Sequence, residues 1–134
     1  MTIHPSAPSS EVLAFLAERH LATLTTRRPD GTPHVTPVGF TYDAELRLVR
    51  IITWARSWKV RNIEAHPGDR AAVCQVDGAR WLTLEGPAEV TDVTQRVAAA
   101  VDAYATRYRQ PGERDDRVAI EISVDRIMGR AERG

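Results

Sequence analysis

From His20 to Val124 the chain runs in short stretches of alternating apolar and polar residues, parted by Gly, Pro and Asp. This is the period-two signature of half-buried strands. Ahead of them, Val12, Leu13, Phe15 and Leu16 share one helical face, and Ser9 or Ser10 stands at the N-cap of a short helix reaching about Arg19. His20 to Thr26 reads as the first strand, stopped by the turn Pro29-Asp30-Gly31. His34 to Tyr42 reads as the second, made irregular by Pro37 and Gly39. After Asp43-Ala44-Glu45 a third strand covers Leu46 to Thr53, and Ser57 is placed to cap a helix that turns Val60 and Ile63 inward and ends before Pro67-Gly68. Arg70 to Val76 and Arg80 towards Val90 flank the tight turn Asp77-Gly78, the latter strand interrupted at Gly86-Pro87. Asp92 and Gln95 have capping-box spacing before the longest helix, whose face carries Val93, Val97, Val101, Tyr104 and Tyr108. Gln110 to Arg117 is a polar loop, and Val118, Ile120, Ile122 and Val124 alternate through a last strand. Six strands joined largely by tight turns, with three helices between them, predict a mainly β fold: an antiparallel sheet closed into a small barrel with peripheral helices.

At 134 residues the chain has room for one core, so residues 1–134 are expected to form one domain. Eighteen Lys plus Arg balance eighteen Asp plus Glu, which leaves no overall field to draw in nucleic acid or a membrane surface. A basic site must be local. The one cysteine, Cys74, lies in the apolar run Ala71-Ala72-Val73 and reads as a small buried thiol. Met1 to Pro8 lacks the apolar centre of a signal peptide and no apolar run approaches membrane-spanning length, so a cytoplasmic protein is expected. Dinucleotide-binding, P-loop, zincin and nucleophile-elbow motifs are all missing, and the four histidines lack metal-ligand spacing.

Local chemistry concentrates in Thr53-Trp54-Ala55-Arg56-Ser57-Trp58-Lys59-Val60-Arg61-Asn62. Three cations and a hydroxyl stand where a strand gives way to a helix start, whose unpaired N–H groups and dipole favour an anion such as a phosphate. A solvated basic helix face has the same composition. Around Pro37, backbone released from pairing can bond the polar edge of a planar ring, or the proline can simply blunt an edge strand. Trp81 can wall a ring and Arg80 can meet an anion, or both can sit in an ordinary hairpin. No residue reads as an obligatory acid or base, a need that a redox cofactor removes.

Taken in order, these segments resemble the flavin-binding split β-barrel family related to pyridoxamine 5′-phosphate oxidase. The resemblance is carried by His20-Leu21-Ala22-Thr23-Leu24-Thr25-Thr26, by Asp30 to Phe40, by Thr53 and Ser57-Trp58-Lys59-Val60-Arg61-Asn62, and by Trp81 to Gly86. Phe15 to His20, Gln75 to Trp81 and Arg107-Tyr108-Arg109 are similar to the branch of that family that uses the deazaflavin coenzyme F420 in place of FMN. The resemblance implies a six-stranded split barrel acting as a homodimer, and reduction of a tetrapyrrole acceptor, biliverdin to bilirubin, by reduced coenzyme F420. FMN-dependent redox chemistry on the same fold, or a carrier of flavin, haem or bilin, are the alternatives. By the same resemblance Arg56, Ser57 and Lys59 hold the cofactor phosphate, while Thr36, Pro37, Val38 and Thr53 approach its ring. Trp81 walls the site near the dimer partner, and Arg80 is the expected arginine for the acceptor's carboxylates. The chain departs from the oxidases in ending Met128-Gly129-Arg130-Ala131-Glu132-Arg133-Gly134, without their Arg-Leu-x-Pro segment. Oxidation of pyridoxamine phosphate is therefore not expected.

Overall fold

The structure is a computed structural model that describes residues 2–133. In chain order the elements are β1 (Thr2–Ile3), α1 (Ser10–Ala17), β2 (Ala22–Arg27), β3 (Pro33–Val38), β4 (Thr41–Asp43), β5 (Leu48–Trp54), α2 (Trp58–Ala65), β6 (Arg70–Asp77), β7 (Arg80–Thr91), α3 (Thr94–Arg107), β8 (Arg117–Ser123) and β9 (Arg126–Arg130). The strands pair antiparallel along the path β3-β2-β6-β7-β8-β5-β4, with β9 joining β7 to β1. The expected antiparallel barrel with three helices is present, and two short strands, β1 and β9, add to the expected six. Each has too few residues for alternation to stand out. The expected single strand His34–Tyr42 is two strands, broken at Gly39-Phe40 where the chain turns from one end of the strand path to the other.

Strand β7 is the spine of the sheet. It is continuous through Gly86-Pro87, where the sequence suggested an interruption. What changes there is its partner: Trp81–Glu85 face β9, whereas Ala88–Thr91 face β8. Gly86 permits the crossing, because a Cβ at that position would stand 1.8 Å from the carbonyl oxygen of Ser123. The inward residues of the strands then meet in one core, with Leu24, Phe40, Ile51, Leu82, Leu84, Ile120, Ile122 and Ile127 almost fully excluded from water. Each such side chain contributes roughly 1.5–3 kcal/mol on burial. Phe15 and Leu16 of α1 and Val60 and Ile63 of α2 cap its ends.

Two helix starts differ from expectation. Ser9 caps α1, its Oγ accepting from Val12 N–H at 3.2 Å. Asp92 does not cap α3: Val93 takes the N-cap position with no side-chain bond, and Val93 N–H instead donates to Thr91 Oγ1 at 3.2 Å. Nor does the Ser57 side chain cap α2, since its Oγ accepts from Thr53 Oγ1 at 3.1 Å. No helix of the described residues is long and apolar enough to cross a membrane.

Candidate functional site

The strand path leaves two edges unpaired, and they face each other. β3 pairs with β2 alone, and β5 pairs with β4 only from Leu48 to Arg50, so that Ile51–Trp54 have β8 on one side and no strand on the other. Because β3 and β4 are joined through Gly39-Phe40, the gap closes at Phe40 and widens towards Trp54. A groove of about 310 Å³ fills this split, lined by Pro37, Val38 and Gly39 on one side and Ile51, Ile52, Thr53 and Trp54 on the other. Lys59, Tyr104, Pro111, Arg114 and Arg117 complete it. Its size is at the small end of ligand sites, about 300–1,000 Å³.

The narrow end is held from α3. Tyr108 OH donates to His20 O at 2.7 Å and accepts from Phe40 N–H at 3.2 Å. The Arg107 guanidinium spans three neutral oxygens, Phe40 O at 2.6 Å, Gln75 Oε1 at 2.6 Å and Glu18 O at 2.8 Å. Burial works against its charge, and the faces of Phe40 and Tyr108 lie 4.8 and 5.1 Å away. Gly39 passes so close to the rings of Tyr104 and Tyr108 that a Cβ there would stand 3.1 Å from both. Arg107 and Tyr108 were legible as motif residues, but their task as a clamp on the Gly39-Phe40 crossing depends on contacts across 67 positions or more of sequence.

The wide end is basic. Lys59 Nζ lies 4.7 Å from the centre of the Trp54 ring and Arg114 Cζ lies 5.3 Å from it, so the indole is flanked by two cations. Lys59 has no carboxylate partner among the described residues, and burial lowers its ammonium pKa from the usual 10.5. A half-buried cation without a counter-charge is held at a cost that an incoming anion relieves. Buried Ser57 and Thr53 stand beside it, bonded to each other, and Arg56 is exposed at the helix start. A planar ring with an anionic extension fits this groove: apolar surface and free strand edges at the closed end, cations at the open one.

Of the sequence-predicted site residues, Pro37, Val38, Thr53 and Lys59 line the groove and Ser57 touches it through Thr53. Thr36 lies on β3 opposite Leu24 of β2, one residue before that lining. Trp81 is on β7, opposite Val76, and does not line the groove of its own chain. Arg80 corrects the expectation. It is buried, stacked 4.3 Å over Phe15, bidentate to Glu18 at 2.9 and 2.9 Å and bonded to Asp77. Its charge is already matched by two carboxylates, so the structure does not offer it to an acceptor. The cations that do face the groove beyond Lys59 are Arg114 and Arg117. They lie in a segment that read as a polar loop, where no periodicity could show which way they point.

The Arg80 cluster also gathers Glu18, His20 and Asp77, whose ligand atoms lie within 4.8 Å of one another. Arg80, then His20, hold the Glu18 carboxyl down at about 2 against an ordinary 4.5. A carboxyl depressed in the folded state stabilises above its unfolded pKa and loses that effect as protons bind. Thermal melting temperature is thus expected to fall as pH drops from about 4.5 towards 2 through this group, and Glu18→Gln should flatten that part of the profile. An unchanged profile in the variant would show that the cluster does not govern acid stability.

A model of the family described as pyridoxamine 5′-phosphate oxidase matches residues 9–130. The chain is 48% identical over 124 residues to an F420H(2)-dependent biliverdin reductase of Mycobacterium tuberculosis (strain CDC 1551 / Oshkosh), covering 92% of this chain and 89% of that relative. A solved structure described as an F420 reductase superposes with a TM-score of 0.69 at 28% identity, over 86% of this chain and 94% of its own. A conserved hypothetical protein of Mycobacterium tuberculosis, Rv2991, superposes with a TM-score of 0.76 at 24% identity over 90% and 82% of the two chains, a likeness of fold.

Proposed function

As the chain belongs to the pyridoxamine 5′-phosphate oxidase family, we propose that it is a reductase that takes hydride from reduced coenzyme F420 and gives it to a tetrapyrrole, converting biliverdin to bilirubin. The observation that carries this reading is the wedge-shaped split, with free strand edges at its closed end and an unmatched lysine at its open end. The relative of 48% identity supports the deazaflavin over FMN and supports the bilin as acceptor.

When bound, the reduced deazaflavin supplies the hydride. The chain's part is positional. Arg56, Ser57 and Lys59 hold the phosphate at the α2 start, and backbone at Thr36, Pro37 and Val38 meets the ring edge opposite Thr53. Fixing the reacting atoms in this way is worth several kcal/mol without any side-chain base. The groove lining carries no Asp, Glu or His, so the proton that joins a bilin nitrogen as the hydride reaches carbon would come from water, directly or through Lys59 or Tyr104, the lining groups able to pass one on.

A groove of this size takes a ring but not a whole bilin, so the open side needs a second wall. A second copy of the chain supplies it. The outer face of β2, β3, β6 and β7 is uncharged across the row Pro37–Thr23–Cys74–Thr83, and Val35 and Val76 are about 60% exposed on the same face. Pro37 belongs both to this face and to the groove, so the dimer would bring Trp81 of the face close to the cofactor. Sedimentation should give a dimer at micromolar concentration; a fully active monomer would defeat the second wall.

The reading is tested by mixing protein, reduced coenzyme F420 and biliverdin and following both chromophores. Bilirubin should appear in step with cofactor oxidation. Cofactor oxidation with other acceptors but not biliverdin would retain the reductase and reject the bilin. Binding of the bilin with no oxidation of the cofactor by any acceptor would point to a carrier.

A further inference from the structure

The wide end of the groove holds more positive charge than one cofactor phosphate requires. Arg117 opens β8 directly opposite Trp54 of β5, which puts the two side chains on the same face of the sheet. The Trp54 ring is already flanked by Lys59 and Arg114. Arg114 is matched, its Nε and Nη2 bonding the two oxygens of Asp116 at 2.8 and 3.1 Å. Asp116 is itself anchored, its carbonyl accepting from Ala55 N–H at 2.9 Å. Arg117 has no side-chain hydrogen bond or ion pair among the described residues, although it is half-buried and lines the groove. Two unmatched cations, Lys59 and Arg117, therefore share one concave mouth with a third whose partner is fixed. Like charges this close repel, and the chain as a whole has no excess of positive charge to explain them as a general field.

We infer that Arg117, supported by Arg114, forms a carboxylate-binding subsite on the β8 wall of the groove, separate from the phosphate position at the start of α2. A guanidinium suits this task because its planar fork takes both oxygens of a carboxylate at once. Two ligands of the proposed reaction carry carboxylates beyond the phosphate: the acceptor through its propionates, and the cofactor through its tail. The identity of those ligands rests on the reductase reading above; the basic wall does not.

Three proteins are compared, the wild type, Arg117→Gln and Arg117→Lys, each first shown to melt at the same temperature. Citrate is titrated while the arginine Nε–Hε resonances are followed, and the Arg117 signal is expected to shift saturably in the wild type. Tryptophan fluorescence then reads the affinities of four ligands: biliverdin, its dimethyl ester, coenzyme F420, and a deazaflavin 5′-phosphate without the carboxylate tail. If the acceptor supplies the carboxylate, Arg117→Gln weakens biliverdin at least about tenfold and leaves the ester unchanged. If the cofactor tail supplies it, coenzyme F420 weakens by that factor and the tailless phosphate does not. In either case Arg117→Lys recovers part of the loss, since it returns the charge without the fork. No citrate shift at Arg117, or equal losses for the carboxylate and carboxylate-free member of each pair, overturns the subsite. Failure of the wild type to bind any of the four ligands, with the citrate shift intact, removes the reductase reading and leaves the subsite standing.

Discussion

Lys59→Ala is expected to raise the dissociation constant for the anionic cofactor by about tenfold to a hundredfold while leaving the fold intact. Loss of one charge-assisted hydrogen bond costs about 1.5–3 kcal/mol, which is that range in affinity. The fold should survive because Lys59 contributes little to the free protein: among the described residues no carboxylate pairs with it, and the burial that disfavours its charge offsets its contact with the Trp54 face. Melting temperature should therefore hold or rise slightly while affinity falls, a combination that damage to α2 would not produce. The pH dependence has a definite sign. Burial sets the Lys59 pKa below 10.5 in the free protein, and a bound anion favours the charged form. Affinity is then full in neutral solution and declines as pH rises through the lowered pKa, earlier than an ordinary lysine would dictate. Lys59→Arg should remove that decline. A fluorescence titration that gives Lys59→Ala the wild-type affinity would take the phosphate away from α2.

Gly86→Ala is expected to be among the most damaging single methyl additions in the chain. Its Cβ would meet backbone atoms, the carbonyl oxygen of Ser123 at 1.8 Å and its carbon at 2.8 Å, and backbone in the middle of a sheet cannot step aside as a side chain can. We expect a loss on the order of 3 kcal/mol or more, at the upper end of overpacking effects. Gly112→Ala, where a Cβ meets nothing within 4 Å, serves as the control and should change stability little. Denaturant unfolding of both variants decides the matter, and equal midpoints would show that β7 can cross between its partners by another path.

How much could be read beforehand depended on how local the cause was. Alternation placed the strands, and Pro37 with Gly39 marked the irregular segment because Pro lacks an N–H and Gly lacks a Cβ. Lys59 was legible because strand end, Ser57 and cations lie within a few residues. Asp77, three residues before Arg80, is a local partner for its charge, but the pairing with Glu18 that completes the match spans 62 positions. Arg114 and Arg117 acquired their place through the pairing of β8 with β5, which brings residue 117 beside residue 54. β1 and β9 escaped notice because two and five residues are too few to establish a period. Ser57 and Asp92 looked like caps on local grounds, but Thr53, four residues earlier, engages the Ser57 hydroxyl, and Thr91 accepts from Val93 N–H beside Asp92.

The clamp on Phe40 has a kinetic consequence. The walls of the split are the two ends of one strand path and share no ladder of their own, so their spacing is fixed at one point, where Arg107 and Tyr108 grip the crossing. The groove thus has a stiff apex and a compliant mouth, set by chain connectivity. A ligand seated with its ring at the apex and its charge at the mouth should leave by loosening first where the walls can spread. Weakening the grip, as with Tyr108→Phe, should then shorten residence time far more than it slows arrival, since encounter depends on the charges around Trp54 and not on the apex.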